Sequence, residues 1–138
     1  MRSKTNPVTS LLDVVLQRKP QDVIPPTTHI VLFQFKQSVT PFQVKEITSK
    51  MLALKKSCIH PSTRTSYIKS ITGGKDNSIE DLQDGISHAF IVQFYTNEDR
   101  TYYVDEDPVH QAFKDAVSPY LEKTQVVDFQ EGVFTHAD

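Results

Sequence analysis

The stretch DEDPVHQAF, Asp105 to Phe113, places a histidine just inside what reads as a helix start. Imidazole is the side chain whose ordinary pKa puts its charge change between roughly pH 5 and 8, so His110 is a candidate general acid or base. Asp107 is a good N-cap and Pro108 suits the first helical position. Val109, Ala112, Phe113, Ala116 and Val117 then recur at helical spacing as a buried stripe. At about 100° per residue, His110 lies beside Phe113 and Val117, roughly 90° from the middle of that stripe. This is a rim position from which a side chain can line a cavity. The helix N-terminus favours neutral imidazole there, whereas Asp105, Glu106 and Asp107 favour the imidazolium. The competing reading is a boundary histidine with a structural hydrogen bond.

The elements that must carry this helix are legible from periodicity. HIVLFQFK alternates with His29, Val31, Phe33 and Phe35 on one face and Ile30, Leu32 and Gln34 on the other. SHAFIVQFYT does the same, with His88, Phe90, Val92 and Phe94 opposed to Ala89, Ile91, Gln93 and Tyr95. Both faces of both strands are largely apolar, which predicts a sheet covered on both sides. Between them, Thr40 caps a helix opened by Pro41, and Gln43 completes a capping box. Val44, Ile47, Met51, Leu54 and Cys58 form its core stripe. TSYIKSIT is a further strand, rich in β-branched and aromatic residues. GGKDNSIEDLQDG is a loop with room for a helical turn; Gly73-Gly74 lacks the lysine and hydroxyl spacing of a phosphate loop and predicts a turn. NEDRTYYV is a short helix, Pro119 limits the helix of His110, and TQVVDFQ is the last strand.

The order β–α–β–β–α–β, with its second helix split, predicts an α+β ferredoxin-like fold: an antiparallel four-stranded sheet with helices on one face. The cavity between sheet and helices would be lined by Val31, Phe33, His88, Phe90, Val109 and Phe113. The opposite face, bearing Ile30, Leu32, Ala89 and Ile91, would be wet in a monomer. A patch of that kind predicts a homodimer with sheets packed face to face. His29 and His88 both open strands that run antiparallel, which puts them ~20 Å apart and argues against a shared metal site with His110. No Cys/His spacing for zinc is present. His60 and His136 fall in a loop and a tail, and no strand–turn–helix nucleophile motif exists for a serine triad.

Composition narrows the classes further. The chain has 138 residues, 38% of them hydrophobic, which suits one folded domain. Its 15 basic and 17 acidic residues leave no positive excess for a nucleic-acid backbone. No apolar run approaches the ~20 residues of a membrane helix, and the N-terminus lacks the pattern of a secretory signal. A lone cysteine, Cys58, forms no internal disulfide and fits a reducing, cytoplasmic setting. Residues 1–28 hold half of the eight prolines and read as an arm, with a short helix at Leu11, Leu12, Val15 and Leu16; 29–134 form the domain and 135–138 a tail.

The first strand HIVLFQFK, the segment GGKDNSIEDLQDGISHAFIVQFY, the helix start DPVHQAF and the end VVDFQEGVF resemble the stress-responsive A/B barrel family, also called dimeric α/β barrel (Dabb) domains. The likeness rests on a histidine opening the first strand, Gly-x-x-His opening the third and Pro-x-His-x-x-Phe on the last helix. It implies a homodimeric, stress-response protein that binds a small hydrophobic ligand. One branch of the family implies an alternative, a polyketide cyclase that needs neither metal nor organic cofactor. In that branch the histidine of Pro-x-His is the base, here His110. Tyr103, close by in the chain, and His29 are the candidate helpers. The tyrosine that accompanies the base six residues earlier is replaced by Val104 in this chain.

Overall fold

The computed structural model describes residues 25–136. The short helix expected around Leu11 to Leu16 lies outside them.

The first strand, β1, is Thr27–Phe35. It begins two residues before the boundary drawn from sequence, because Thr27 and Thr28 are buried and already paired on both sides. Thr27 stands opposite Phe94 on one neighbour and Gln130 on the other. Its hydroxyl also donates to Asn97 Oδ1. Helix α1, Pro41–Ser57, starts with the expected reciprocal box. Gln43 N donates to Thr40 Oγ1 at 3.2 Å, and Thr40 N donates to Gln43 Oε1 at 2.9 Å. Ile47, Met51, Leu54 and Cys58 are buried as the periodicity requires. Each large apolar side chain removed from water in this way contributes about 1.5–3 kcal/mol.

Strand β2, Ile68–Lys75, runs straight through Gly73 and Gly74, so the turn expected at the glycine pair is absent. The reason is steric. A Cβ on Gly73 would lie 2.3 Å from Phe90 Cδ2 and 2.7 Å from Ala89 O on the neighbouring strand. Glycine here permits close approach of backbone to an aromatic ring. The connection that follows, through Gly85, contains bends and turns but no helix.

Strand β3, His88–Phe94, leads to helix α2, Asn97–Asp105, capped by Thr96. Helix α3, Pro108–Val117, follows, then a 3-10 turn at Ser118–Tyr120. Strand β4, Leu121–Gln130, starts earlier than the TQVVDFQ reading. The sheet order is β2-β3-β1-β4 with every neighbouring pair antiparallel, and the α+β ferredoxin-like arrangement is as the sequence predicts. Val31, Phe33, Phe90, Val92 and Phe94 from the sheet meet Ile47, Met51, Leu54, Tyr103 and Val117 from the helices in one core.

The other face is open in the single chain. Ile91 stands opposite Ile30, which stands opposite Val127, giving an apolar row across three strands. Ile91 is 42% exposed and Val127 58%.

Replacing Gly73 by alanine should destabilise the chain by about 1–3 kcal/mol through overpacking against Phe90. Gly74→Ala, where nothing lies within 4 Å of the added methyl, should stay within about 0.5 kcal/mol. Urea unfolding midpoints of the two variants check this.

Candidate functional site

The site is built on the junction between α2 and α3. Asp107 is 1% exposed, and its carboxylate caps α3. Oδ1 accepts from Val109 N at 2.9 Å and from His110 N at 3.4 Å. Oδ2 accepts from the Tyr67 hydroxyl at 2.5 Å. The Cys58 thiol is pushed up to about 12, by burial first and then by the negative Asp107. Tyr67 is raised by the same two causes, so both groups remain protonated beside the carboxylate. A buried charge is tolerable only when its lone pairs are filled in this manner.

The cap fixes the backbone of His110. Its ring Nδ1 sits 2.7 Å from the carbonyl oxygen of Tyr103. A carbonyl only accepts, so Nδ1 carries the hydrogen and Nε2 keeps its lone pair. The ring lies flat on that of Tyr103, with centroids 3.7 Å apart and planes 13° from parallel. His110 is 7% exposed. It therefore occupies the middle of the buried stripe and not its rim. Val109, Ala112 and Ala116, expected in the stripe, are exposed instead, Val109 by 38%. The inward face of α3 runs through His110, Phe113 and Val117, spaced three and four residues apart. The hydrophobic residues alone suggested a stripe centred one position away, because the polar residue at its centre did not count toward it.

A cavity of about 470 Å³ lies between this face of α3 and the sheet. His29, Val31 and Phe33 of β1 form its floor, with Met51 of α1 and Leu121 and Val126 of β4 beside them. His110, Phe113 and Val117 form the opposite wall, together with Val104, the residue at the tyrosine position of the cyclase branch. Val31, Phe33 and Phe113 thus line the cavity. His88, Phe90 and Val109, expected to do so, do not. Phe90 is sealed in the core behind Gly73, and Val109 points to solvent. His88 borders a separate groove under the β2–β3 connection, where its Nδ1 meets Ser87 Oγ at 2.9 Å. Burial, and then Lys75, hold its pKa below the ordinary value.

The register separates His29 from His88 by less than the sequence implied. His29 faces Val92 and His88 faces Phe33, four positions along the pair, or roughly 13 Å. Their side chains serve different sites all the same. His29 instead shares the cavity with His110. Its Nδ1 donates to Asp128 Oδ1 at 2.7 Å, and Arg100 Nη1 donates to Asp128 Oδ2 at 2.8 Å. Asp128 was not foreseen from sequence. It stands directly opposite His29 across β1 and β4, a juxtaposition set by strand register. Once β1 and β4 are paired in this register, the alternation of TQVVDFQ puts Asp128 on the cavity side with Val126. Tyr103 is fully buried with its hydroxyl unpartnered among the described residues. Its ring also meets His29 edge-on at 5.9 Å. Tyr103 therefore supports both imidazoles by contact and does not line the cavity.

His110 is lowered from the ordinary 6.5 to about 4, chiefly by burial, and secondarily by Lys114 and His29. The Tyr103 carbonyl and Asp107 pull the other way. At neutral pH the site accordingly presents a neutral imidazole with a free basic nitrogen. No group of three or more His, Cys, Asp or Glu able to hold a metal ion occurs among the described residues.

Fold and cavity together define a ferredoxin-like α+β domain with an apolar chamber and two histidines between sheet and last helix. Residues 27–131 match the stress responsive A/B barrel domain, and the chain belongs to that family. It is 31% identical over 105 residues to the stress-response A/B barrel domain-containing protein HS1 of Arabidopsis thaliana, covering 76% of this chain and 89% of that one. Among solved structures, an Arabidopsis thaliana protein superposes with a TM-score of 0.67 at 27% identity, over 80% of this chain and 99% of that one. The hydroxynitrile lyase of Passiflora edulis shares the fold with a TM-score of 0.66 at 22% identity, over 80% and 98% of the two chains. A dimeric ferredoxin-like protein of Thermobifida fusca gives 0.58 at 22% identity, over 77% and 91%.

The lowered pKa of His110 has a thermodynamic signature. Between pH 6.5 and about 4 the unfolded chain binds the proton that the folded chain refuses. Stability should therefore fall as pH drops through that window and level off below it, by about 3 kcal/mol in all. His110→Gln should remove this part of the slope in urea unfolding measured at pH 7, 5.5 and 4.5.

Proposed function

We propose that this chain forms a homodimer through its open sheet face and binds a small, mainly apolar molecule in the cavity, on which His110 acts as general base. The carrying observation is the Nδ1 contact of His110 with the Tyr103 carbonyl, which commits one ring nitrogen and leaves the Nε2 lone pair free on a wall shared with Phe113, Lys114 and Val117. The reaction class is proton abstraction next to a carbonyl or from a hydroxyl, as in a lyase or cyclase. Nε2 takes the proton, and negative charge develops on the substrate oxygen. His29, held by Asp128, stands on the cavity floor as the second polar ring that the substrate meets. The apolar side chains around Nε2 strengthen its interaction with the substrate, and no cofactor is invoked. The Passiflora edulis lyase on the same fold supports an enzymatic use of the scaffold.

Val104 supports a second reading, binding without turnover. It leaves the cavity wall without the hydroxyl that the cyclase branch uses opposite its base. For the assembly, Ile30, Leu32, Ala89 and Ile91, extended by Val127 and Phe129 of β4, offer a self-complementary patch. The dimeric neighbours on this fold support the same use of it.

A minimal substrate distinguishes the two readings. With 4-phenylbutan-2-one in D2O, deuterium should enter the carbon next to the carbonyl, followed by NMR. The exchange rate should rise with pH through about 4 and be flat from 6 to 8, since the base is already neutral there. His110→Gln should lower it at least a hundredfold while the melting temperature at pH 7 moves little. Binding of the ketone with no catalysed exchange would leave the ligand-carrier reading and end the catalytic one. Light scattering at micromolar concentration should give twice the chain mass, and Ile91→Glu should give the monomer mass. A monomeric parent chain would overturn the assembly.

A further inference from the structure

Among the described residues, the cavity wall carries one cation without an ion-pair partner. Lys114 lies one helical turn beyond His110 on α3 and lines the same cavity. Residues four apart on a helix share a face, with Cβ atoms about 5–6 Å apart. The Lys114 ammonium donates to the carbonyl oxygen of Val104 at 3.1 Å. That oxygen also accepts from Gln111 Nε2 at 2.9 Å. Both partners are neutral, and Val104 itself lines the cavity. The hydrogen bond thus holds the ammonium over the chamber without neutralising it.

The other charges of the lining are placed differently. Lys123 is tied to Asp84, donating to its carbonyl at 2.6 Å and to its carboxylate at 3.0 Å. His29 faces the Asp128 carboxylate, which Arg100 also holds. Glu122 lines the cavity from β4 and is exposed, as Lys114 is, but makes no ion pair with it. Among the described residues no carboxylate forms an ion pair with Lys114. Its charge is felt inside the site, since it is one of the groups that disfavour protonation of His110. An apolar chamber with one uncompensated, pre-positioned cation favours a ligand with an apolar body and a single anionic end.

From this juxtaposition we infer that the ligand is a small carboxylic acid, its carboxylate on Lys114 and its apolar body toward Val31, Phe33, Met51 and Val117. The inference rests on the cavity being the ligand site. The spacing of Lys114 from His110 sets the reacting atom within a few bonds of the carboxylate. Lys114 then selects among apolar molecules of similar size, and it does so without taking part in proton transfer.

Isothermal titration of the full chain with 3-phenylpropionate and with 3-phenylpropan-1-ol separates the possibilities. The two differ only in the terminal group. At 20 mM salt and pH 7 the carboxylate should bind at least tenfold more tightly than the alcohol. The advantage should shrink several-fold at 300 mM salt. Lys114→Met should keep alcohol binding within twofold and lose the preference, while Lys114→Arg should retain most of it. Equal affinities in the parent chain, or a preference that survives in Lys114→Met, would overturn the carboxylate assignment and leave the cavity reading intact. Absence of binding by either compound would overturn both.

Discussion

The structure depends on one buried carboxylate. Asp107 ends α2, starts α3 and receives the Tyr67 hydroxyl from beside the start of β2. The end of α1 reaches the same point through Cys58. Two consecutive helices and two segments distant from them in sequence therefore meet at a single charge. Such a charge is costly unless each of its lone pairs is used, and here backbone amides and a phenol use them. The geometry of the cavity wall follows from this anchor. The cap sets where the first turn of α3 begins, and the first turn sets where the His110 ring meets the Tyr103 carbonyl.

The two histidines of the cavity are held by different means and so differ in character. His110 is buried, and burial keeps its ring unprotonated although its bond to the Tyr103 carbonyl pulls the other way. His29 is bound to a carboxylate that an arginine also holds. One fold thus supplies two imidazoles with contrasting surroundings. Tyr103 joins them as a wedge, its ring touching both.

The fold was legible because its signals are local. The capping box at Thr40 and Gln43, Asp107 and Pro108 at the start of α3, and the alternation in β1 and β3 each depend on neighbouring residues, and each is observed. The candidate site was legible only in part. His110 and His29 could be named, because histidines at a helix start and a strand start are visible in the chain. The partners that define them were not visible. Asp128 is 99 residues from His29 in sequence and meets it only through strand register. The Tyr103 carbonyl is backbone and has no sequence signature. Gly73-Gly74 misled for the related reason that its cause, the Phe90 ring, lies on another strand. Val109 misled because an apolar residue in the first turn of a helix is not bound to face inward.

Strand β1 separates two kinds of surface with a single layer of backbone. His29, Val31 and Phe33 look into the chamber, while Ile30 and Leu32 look out across the open sheet. Chamber lining and open sheet face are in this way written on alternate letters of one short word. A substitution at an even-numbered position can change the open face while the chamber keeps its lining, and the reverse holds at the odd-numbered ones. The strand tolerates point changes on either side, but an inserted or deleted residue would exchange the two vocabularies at once. Divergence within such a scaffold is thereby free to proceed along two independent axes, provided the length of this strand never changes.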